Sequence, residues 1–165
     1  MIWNRQKTVR VASRGLEQFF RRVKKDLGVD RCDATVCFVG NAEMARMNQK
    51  FRQKHGPTDV LSFPASASPL FSVSSATSAL KSTRSLSRFV PRTRMGKLGK
   101  RYLGDIAIAP SVARRYAKKN GRTLDSELRV LILHGVLHLL GYDHETDRGE
   151  MDRIEQKMRR RFGLA

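Results

Sequence analysis

The alternation of apolar and polar residues changes period along the chain, and each change predicts a change of element. Residues 1 to 10, MIWNRQKTVR, predict an opening strand. In SRGLEQFFRRVKKDLG, Leu16, Phe19, Phe20, Val23 and Leu27 recur at helical spacing and Gly28 follows as a stop, which predicts an amphipathic helix. Its polar face carries Arg21, Arg22, Lys24 and Lys25, by default a solvated basic face and secondarily an RNA contact. DATVCFVG reads as a strand suited to both faces of a sheet, Ala34, Val36 and Phe38 opposing Thr35, Cys37 and Val39. Asn41 is placed to cap a helix through NAEMARMNQKFR. PTDVLSFP, Pro57 to Pro64, is a strand bounded by prolines, which cannot donate to a ladder and belong at strand ends or edges.

From Ala65 to Lys100 no periodic apolar pattern persists, and this serine-rich stretch reads as a loop or insertion. RYLGDIAIAP restores strand alternation, Leu103, Asp105 and Ala107 against Gly104, Ile106 and Ile108. Pro110 opens a helix through SVARRYAKKNG, with Gly121 at its end. DSELRVLILHGVLHLL is apolar almost throughout after an acidic first turn, which predicts a buried helix over Asp125 to Leu140 with Asp125 and Glu127 at its positive end. ETDRGEMDRIEQKMRRRFG closes the chain as a helix whose Met151, Ile154, Met158 and Phe162 form one core-facing stripe. The order strand, helix, strand, helix, strand, strand and three helices predicts an α+β domain with a small mixed β-sheet packed against helices.

Composition sharpens this picture. At 165 residues the chain fits one domain with a real core. Its formal charge of +18 exceeds what solubility requires and implies a polyanionic partner. Between Asp59 and Asp105 there is no acidic residue, and residues 81 to 101 carry eight lysines and arginines, so the insertion could lie along RNA as an electrostatic arm or serve only as a tether. No apolar run resembles a signal peptide or a membrane span, so no membrane association and a cytoplasmic location are expected. Cys32 and Cys37, on opposite faces of their strand, are expected as free packed thiols.

The chemistry concentrates in HGVLHLLGYDH. Three of the four histidines, His134, His138 and His144, fall within these eleven residues. His134 and His138 lie one helical turn apart on one face, close enough to bind one metal ion. A continuing helix would carry His144 off that face, whereas Gly141, able to take the left-handed C-cap conformation, lets the chain turn back and deliver it as a third ligand. Three imidazoles on zinc leave one tetrahedral position open for water, with its pKa lowered to about 7. H-x3-H-x5-H is also the metzincin spacing, but the position of the metzincin glutamate base is Gly135 here. That glycine costs its helix about 1 kcal/mol against alanine, which implies a close neighbour above the backbone, either substrate or packing.

HGVLHLLGYDH, together with MNQKFRQKHGPTDVLSFP (Met47 to Pro64) and LGDIAIAP (Leu103 to Pro110), strongly resembles the signature of the YbeY family of metal-dependent endoribonucleases. The resemblance covers most of the chain outside about residues 65 to 100. It implies a single zincin-like domain over 1–165 with a central metal-binding helix. It implies single-strand-specific cleavage of RNA in ribosomal RNA processing, including 16S rRNA 3′ end maturation, and in ribosome quality control. One Zn²⁺ per chain on His134, His138 and His144 is the implied cofactor, and ribosomal RNA and the small ribosomal subunit are the implied partners. On residue type alone Arg52 is a surface arginine ending a helix; the resemblance makes it an active-site residue, where a planar guanidinium grips two phosphate oxygens and offsets charge built up at the phosphodiester. Lys54 matches the same pattern and assists with phosphate. His55 does not match, since relatives often carry an acidic residue there. Asp105 could orient a metal-binding histidine or serve at a strand end.

Two other classes share these residues. A zinc peptidase or amide hydrolase needs a carboxylate near the metal, for which Asp143, Glu145 and Asp147 are the candidates. A non-catalytic ribosome-associated RNA-binding protein would use the metal to hold the last helix in place.

Overall fold

A computed structural model describes residues 1–65, 102–144 and 147–164. Beyond residue 65 the expected insertion, together with Glu145, lies outside the described residues. The elements are β1 (Ile2–Asn4), α1 (Ser13–Asp26), β2 (Asp33–Phe38), α2 (Asn41–Arg52), β3 (Val60–Pro64), β4 (Tyr102–Ile108), α3 (Pro110–Lys119), α4 (Leu124–Leu139) and α5 (Glu150–Phe162). Their order is the one expected from the sequence, giving an α+β fold with a small mixed sheet and five helices among the described residues. No helix among these residues is long and apolar enough to cross a membrane.

The four strands lie in the order β1-β2-β4-β3. β1 pairs parallel with β2, β2 parallel with β4, and β3 antiparallel with β4. Alternation along β2 and β4 divides the apolar residues between two cores. Ala34, Val36, Phe38, Ile106 and Ile108 face Leu16, Phe20, Leu133 and Leu137 of α1 and α4. Cys37, Val39, Ala107, Leu61 and Phe63 face Met44, Met47 and Val112. Cys32 packs with the first core and Cys37 is buried in the second, both as free thiols. Burial pushes the Cys37 thiol up to about 11.

β3 is an edge strand, and its hydrogen bonds fix which groups it leaves open. The Asp59 carbonyl accepts from the Ala109 amide at 2.8 Å, and the Ala65 amide donates to Leu103 at 2.9 Å. Antiparallel alternation therefore turns the backbone groups of Val60 and Ser62 outward, away from β4. Pro64, with no amide hydrogen, ends the strand.

Local signals set the helix ends, with one correction. Thr123 caps α4, its side chain accepting from the Ser126 amide at 3.2 Å. Pro110 opens α3 as expected. Asn41, expected as the cap of α2, is instead its first helical residue; Gly40 takes the extended cap position and no side-chain cap bond forms. A glycine can supply the cap geometry without a side chain, so the preference of asparagine for caps does not decide the boundary here.

The neighbour expected above Gly135 is Ile106 of β4, not substrate. A Cβ at Gly135 would lie 2.7 Å from Ile106 Cγ2 and 2.8 Å from its Cδ1. Ile106 is fully buried and β-branched, so it has little freedom to retreat. Gly135→Ala gains about 1 kcal/mol of helix propensity but overpacks this contact at a cost of about 1–3 kcal/mol. The expected result is net destabilisation by about 1 kcal/mol in urea unfolding. Combined with Ile106→Ala, which alone costs about 2–5 kcal/mol, the pair should cost less than the sum of the singles. Strict additivity would mean that Gly135 and Ile106 do not crowd each other.

Candidate metal centre

α4 presents Glu127, Val130, Leu131, His134 and His138 along one side, and this stripe forms a wall of a cleft of about 1550 Å³. The edge strand β3 lines the same cleft, as do Arg52, Tyr142, Asp143 and His144. At the helix end Gly141 takes φ 91°, and the amides of Gly141 and Tyr142 bond back to the carbonyls of His138 and Leu137 at 3.0 and 3.1 Å. The chain reverses there, and Tyr142 packs against the first core. His144 is thereby returned to the two helical histidines.

One nitrogen from each of His134, His138 and His144 lies within 4.8 Å of the others, and the group could hold a metal ion. The Nε2 atoms of His134 and His138 are 3.1 Å apart. A tetrahedral ion with bonds of roughly 2.0–2.1 Å needs donors about 3.4 Å apart, so the set fits one after a small closing movement of His144. All three donors are imidazole nitrogens, which suit zinc as well as nickel or copper.

A buried carboxylate that meets this cluster is Glu155 of α5. Its Oε2 lies 2.9 Å from His134 Nδ1, and Arg159, one turn on, bonds its other oxygen. Glu155 is only 7% exposed, and its carboxyl is held below the usual range despite burial, which opposes ionisation, by the hydrogen bond and charge of His134 and the cation of Arg159. The ionised carboxylate accepts from His134 Nδ1–H, which leaves Nε2 as the nitrogen turned toward His138. Neither Glu155 nor Arg159 was singled out in the sequence. The available signal was an acid four residues after Met151, inside the stripe of a helix otherwise read as apolar.

Asp105 does not take the role offered to it beside a histidine. It points to the sheet face opposite Ile106, away from α4, where it accepts a hydrogen bond from Tyr102, whose hydroxyl also pairs with Thr35 at 3.1 Å. Burial raises its carboxyl above the usual range. Of the other acids, Asp143 lines the cleft. Asp147 is occupied as the cap of α5, accepting from the amides of Gly149, Glu150 and Met151 at 2.7, 3.2 and 2.8 Å. Arg52, the last residue of α2, reaches the cleft, whereas Lys54 and His55 are exposed and do not line it.

A family model described as Endoribonuclease YbeY matches residues 1–163. A protein of Koribacter versatilis is 37% identical over 164 residues, 99% of this chain and 86% of its own length. One of Solibacter usitatus is 36% identical over 149 residues, covering 90% and 78%. One of Aquifex aeolicus is 32% identical over 139 residues, covering 76% and 73%. Each of the three is described as Endoribonuclease YbeY. The solution structure of a Thermotoga maritima protein is similar in fold, with a TM-score of 0.54 and 24% identity, covering 95% of this chain and 85% of that chain.

Burial, with the neighbouring His134 and His144, lowers the His138 pKa to about 4. The unfolded chain takes up this proton near pH 6.5 and the folded chain resists it until about pH 4. The contribution of His138 to stability is therefore complete above pH 6.5 and lost as pH falls toward 4. Urea unfolding in the presence of a chelator should show stability declining through this window, and His138→Gln should flatten the decline. An identical pH profile in the variant would remove His138 as its source.

Proposed function

The chain belongs to the YbeY family of endoribonucleases, and from that premise we propose that it cuts single-stranded ribosomal RNA using one zinc ion held by His134, His138 and His144. In this reading the domain is zincin-like and α4 is its central metal-binding helix. The work is processing of ribosomal RNA, including maturation of the 16S rRNA 3′ end, and ribosome quality control, performed in the cytoplasm beside the small ribosomal subunit. The observation that carries the reading is the convergence of three imidazole nitrogens within 4.8 Å in a cleft that Arg52 also enters.

When bound, the ion supplies Lewis-acid chemistry at a phosphoryl oxygen and favours a nucleophile near neutral pH. The protein's own residues do the rest. Arg52 binds the non-bridging oxygens of the scissile phosphate and offsets the charge that grows on them during attack. Lys54, exposed two residues on, adds positive charge to the approach of the strand. Glu155, fixed by Arg159, keeps the proton on His134 Nδ1 and so aims the opposite nitrogen at the ion. The outward amide of Ser62 offers a donor along the cleft wall for the RNA backbone, while that of Val60 donates to the Asp59 carboxylate at 2.9 Å. The attacking oxygen belongs to water or to the neighbouring ribose 2′-hydroxyl, and a 2′,3′-cyclic phosphate on the product would identify the second.

Peptide cleavage is the weaker reading of the same centre. The position of a metzincin base is Gly135, whose space Ile106 occupies, and the Asp147 carboxylate is spent on the α5 cap. The charge of +18 also matches a polyanionic substrate better than a peptide.

Cleavage of a labelled ribosomal RNA fragment by identically prepared proteins tests the proposal. His138→Ala should abolish cutting, and Arg52→Ala should lower kcat by about a hundredfold or more while changing RNA affinity much less. RNA binding by both wild type and His138→Ala with no cutting by either would favour the non-catalytic binding protein; equal cutting by both would place the activity elsewhere. Glu155→Gln should weaken zinc binding by about 10–100-fold, measured by competition with a chromophoric chelator. Unchanged zinc affinity would reduce Glu155 to a structural residue of α5.

A further inference from the structure

The cleft continues well past the histidines. Its α4 wall runs from His138 back to Glu127, eleven residues or roughly 16 Å at the helical rise. At the end remote from the histidines it is lined by Asn120 and Arg122. Arg122 is held there by Glu127 at 3.4 Å. Asn120 is the cap residue of α3, its amide bonded to the Tyr116 carbonyl at 2.9 Å, so the mouth of the cleft opens directly onto that helix.

The solvent face of α3 is unusual in this chain. Arg114, Arg115, Tyr116, Lys118 and Lys119 are all exposed, and no acidic residue occurs between Asp105 and Asp125 to neutralise them. Tyr116, Lys119 and Asn120 stand at i, i+3 and i+4 and therefore share one edge of the helix. Among the described residues Tyr116, 45% exposed, is more open than the other exposed aromatics, Trp3 and Tyr102. Trp3 donates its ring nitrogen to Met1 Sδ and Tyr102 gives its hydroxyl to Asp105, whereas Tyr116 stands among cations one helical turn from the cleft. A basic helix face alone is ordinarily a solvated one. An open aromatic ring set among cations and continuous with a groove is the combination that holds single-stranded nucleic acid, since every base has a face to stack and every nucleotide a phosphate.

Resting on the nuclease reading above, we propose that a single RNA strand seated in the cleft leaves it past Asn120 and Arg122 and is carried onward by α3. One base stacks on Tyr116, and the flanking phosphates meet Arg115 and Lys119. This surface is independent of base sequence. It adds affinity only for strands long enough to run beyond the cleft, and so favours extended single-stranded regions over short fragments.

The test compares two 2′-O-methyl oligonucleotides, about four and about sixteen nucleotides long, by fluorescence anisotropy on the zinc-loaded protein. Tyr116→Ala should weaken the long strand about tenfold and leave the short one unchanged, and Tyr116→Phe should retain wild-type binding of both. Arg115→Ala with Lys119→Ala should flatten the salt dependence for the long strand by about 0.7 per charge removed, again without effect on the short one. Unchanged binding of the long strand in these variants would overturn the proposal, and so would equal weakening of both lengths, which would make α3 a support of the cleft rather than its extension. Cleavage of unmodified RNA by wild type and His138→Ala separates the two readings. Length-dependent loss at Tyr116 in a protein that cuts nothing would sustain the RNA track and overturn the nuclease; normal cutting without length-dependent loss would do the reverse.

Discussion

The contact between Gly135 and Ile106 governs the rest of the molecule. A helix packs most closely on a sheet where its backbone presents no side chain, and here the missing Cβ lets Ile106 reach the α4 backbone at Gly135, one residue after His134 and three before His138. The approach sets the height of both imidazoles above the sheet. It also places them beside β3, the strand whose outer edge stays open to the cleft. Apolar packing and the site are thus one arrangement, with Leu133, Val136 and Leu137 buried on the sides of α4 that the histidines do not occupy.

Most of the element order could be read from the sequence because each period was sustained. Alternation in DATVCF divided the two cores correctly, and in YLGDIAI it did so beyond Gly104, whereas Leu103, expected on the side of Ala107, packs with Ile106 and Ile108 because the pairing of β2 with β4 shifts register there; the stripe of Leu16, Phe19, Phe20 and Val23 placed α1. The three histidines were legible for a local reason: two lie on one helical turn, and the third is separated from them only by a glycine stop. Strand order was not legible, because pairing of β2 with β4 joins residues nearly seventy positions apart and no local preference encodes it. For the same reason Glu155 went unread. Its meaning arises only once α5 crosses α4, twenty-one residues from His134. Asp105, open in the sequence to a role beside a histidine or at a strand end, is turned by the pleat to the opposite face.

The site also separates two uses of charge. Glu155 is buried and Arg159 half-buried, and they act over hydrogen-bond distances, Arg159 on Glu155 and Glu155 on one histidine ring. The greater part of the positive charge is exposed and acts collectively, through counterions displaced from a polyanion. The first kind sets geometry and tolerates little exchange, since an arginine fork and a lysine point charge differ in shape. The second kind depends on number and placement more than on residue type.

The connection from α4 to α5 is short and serves three masters. Gly141 reverses the chain, His144 joins the histidine cluster, and Asp147, three residues later, starts α5 by accepting from the amides of Gly149, Glu150 and Met151. Surface connections ordinarily absorb inserted or deleted residues with little harm. Here one residue more or less would put His144 and Asp147 out of step, separating the histidine cluster from the helix that carries Glu155. Over evolutionary descent this connection is free to exchange many of its residues but not to change its length.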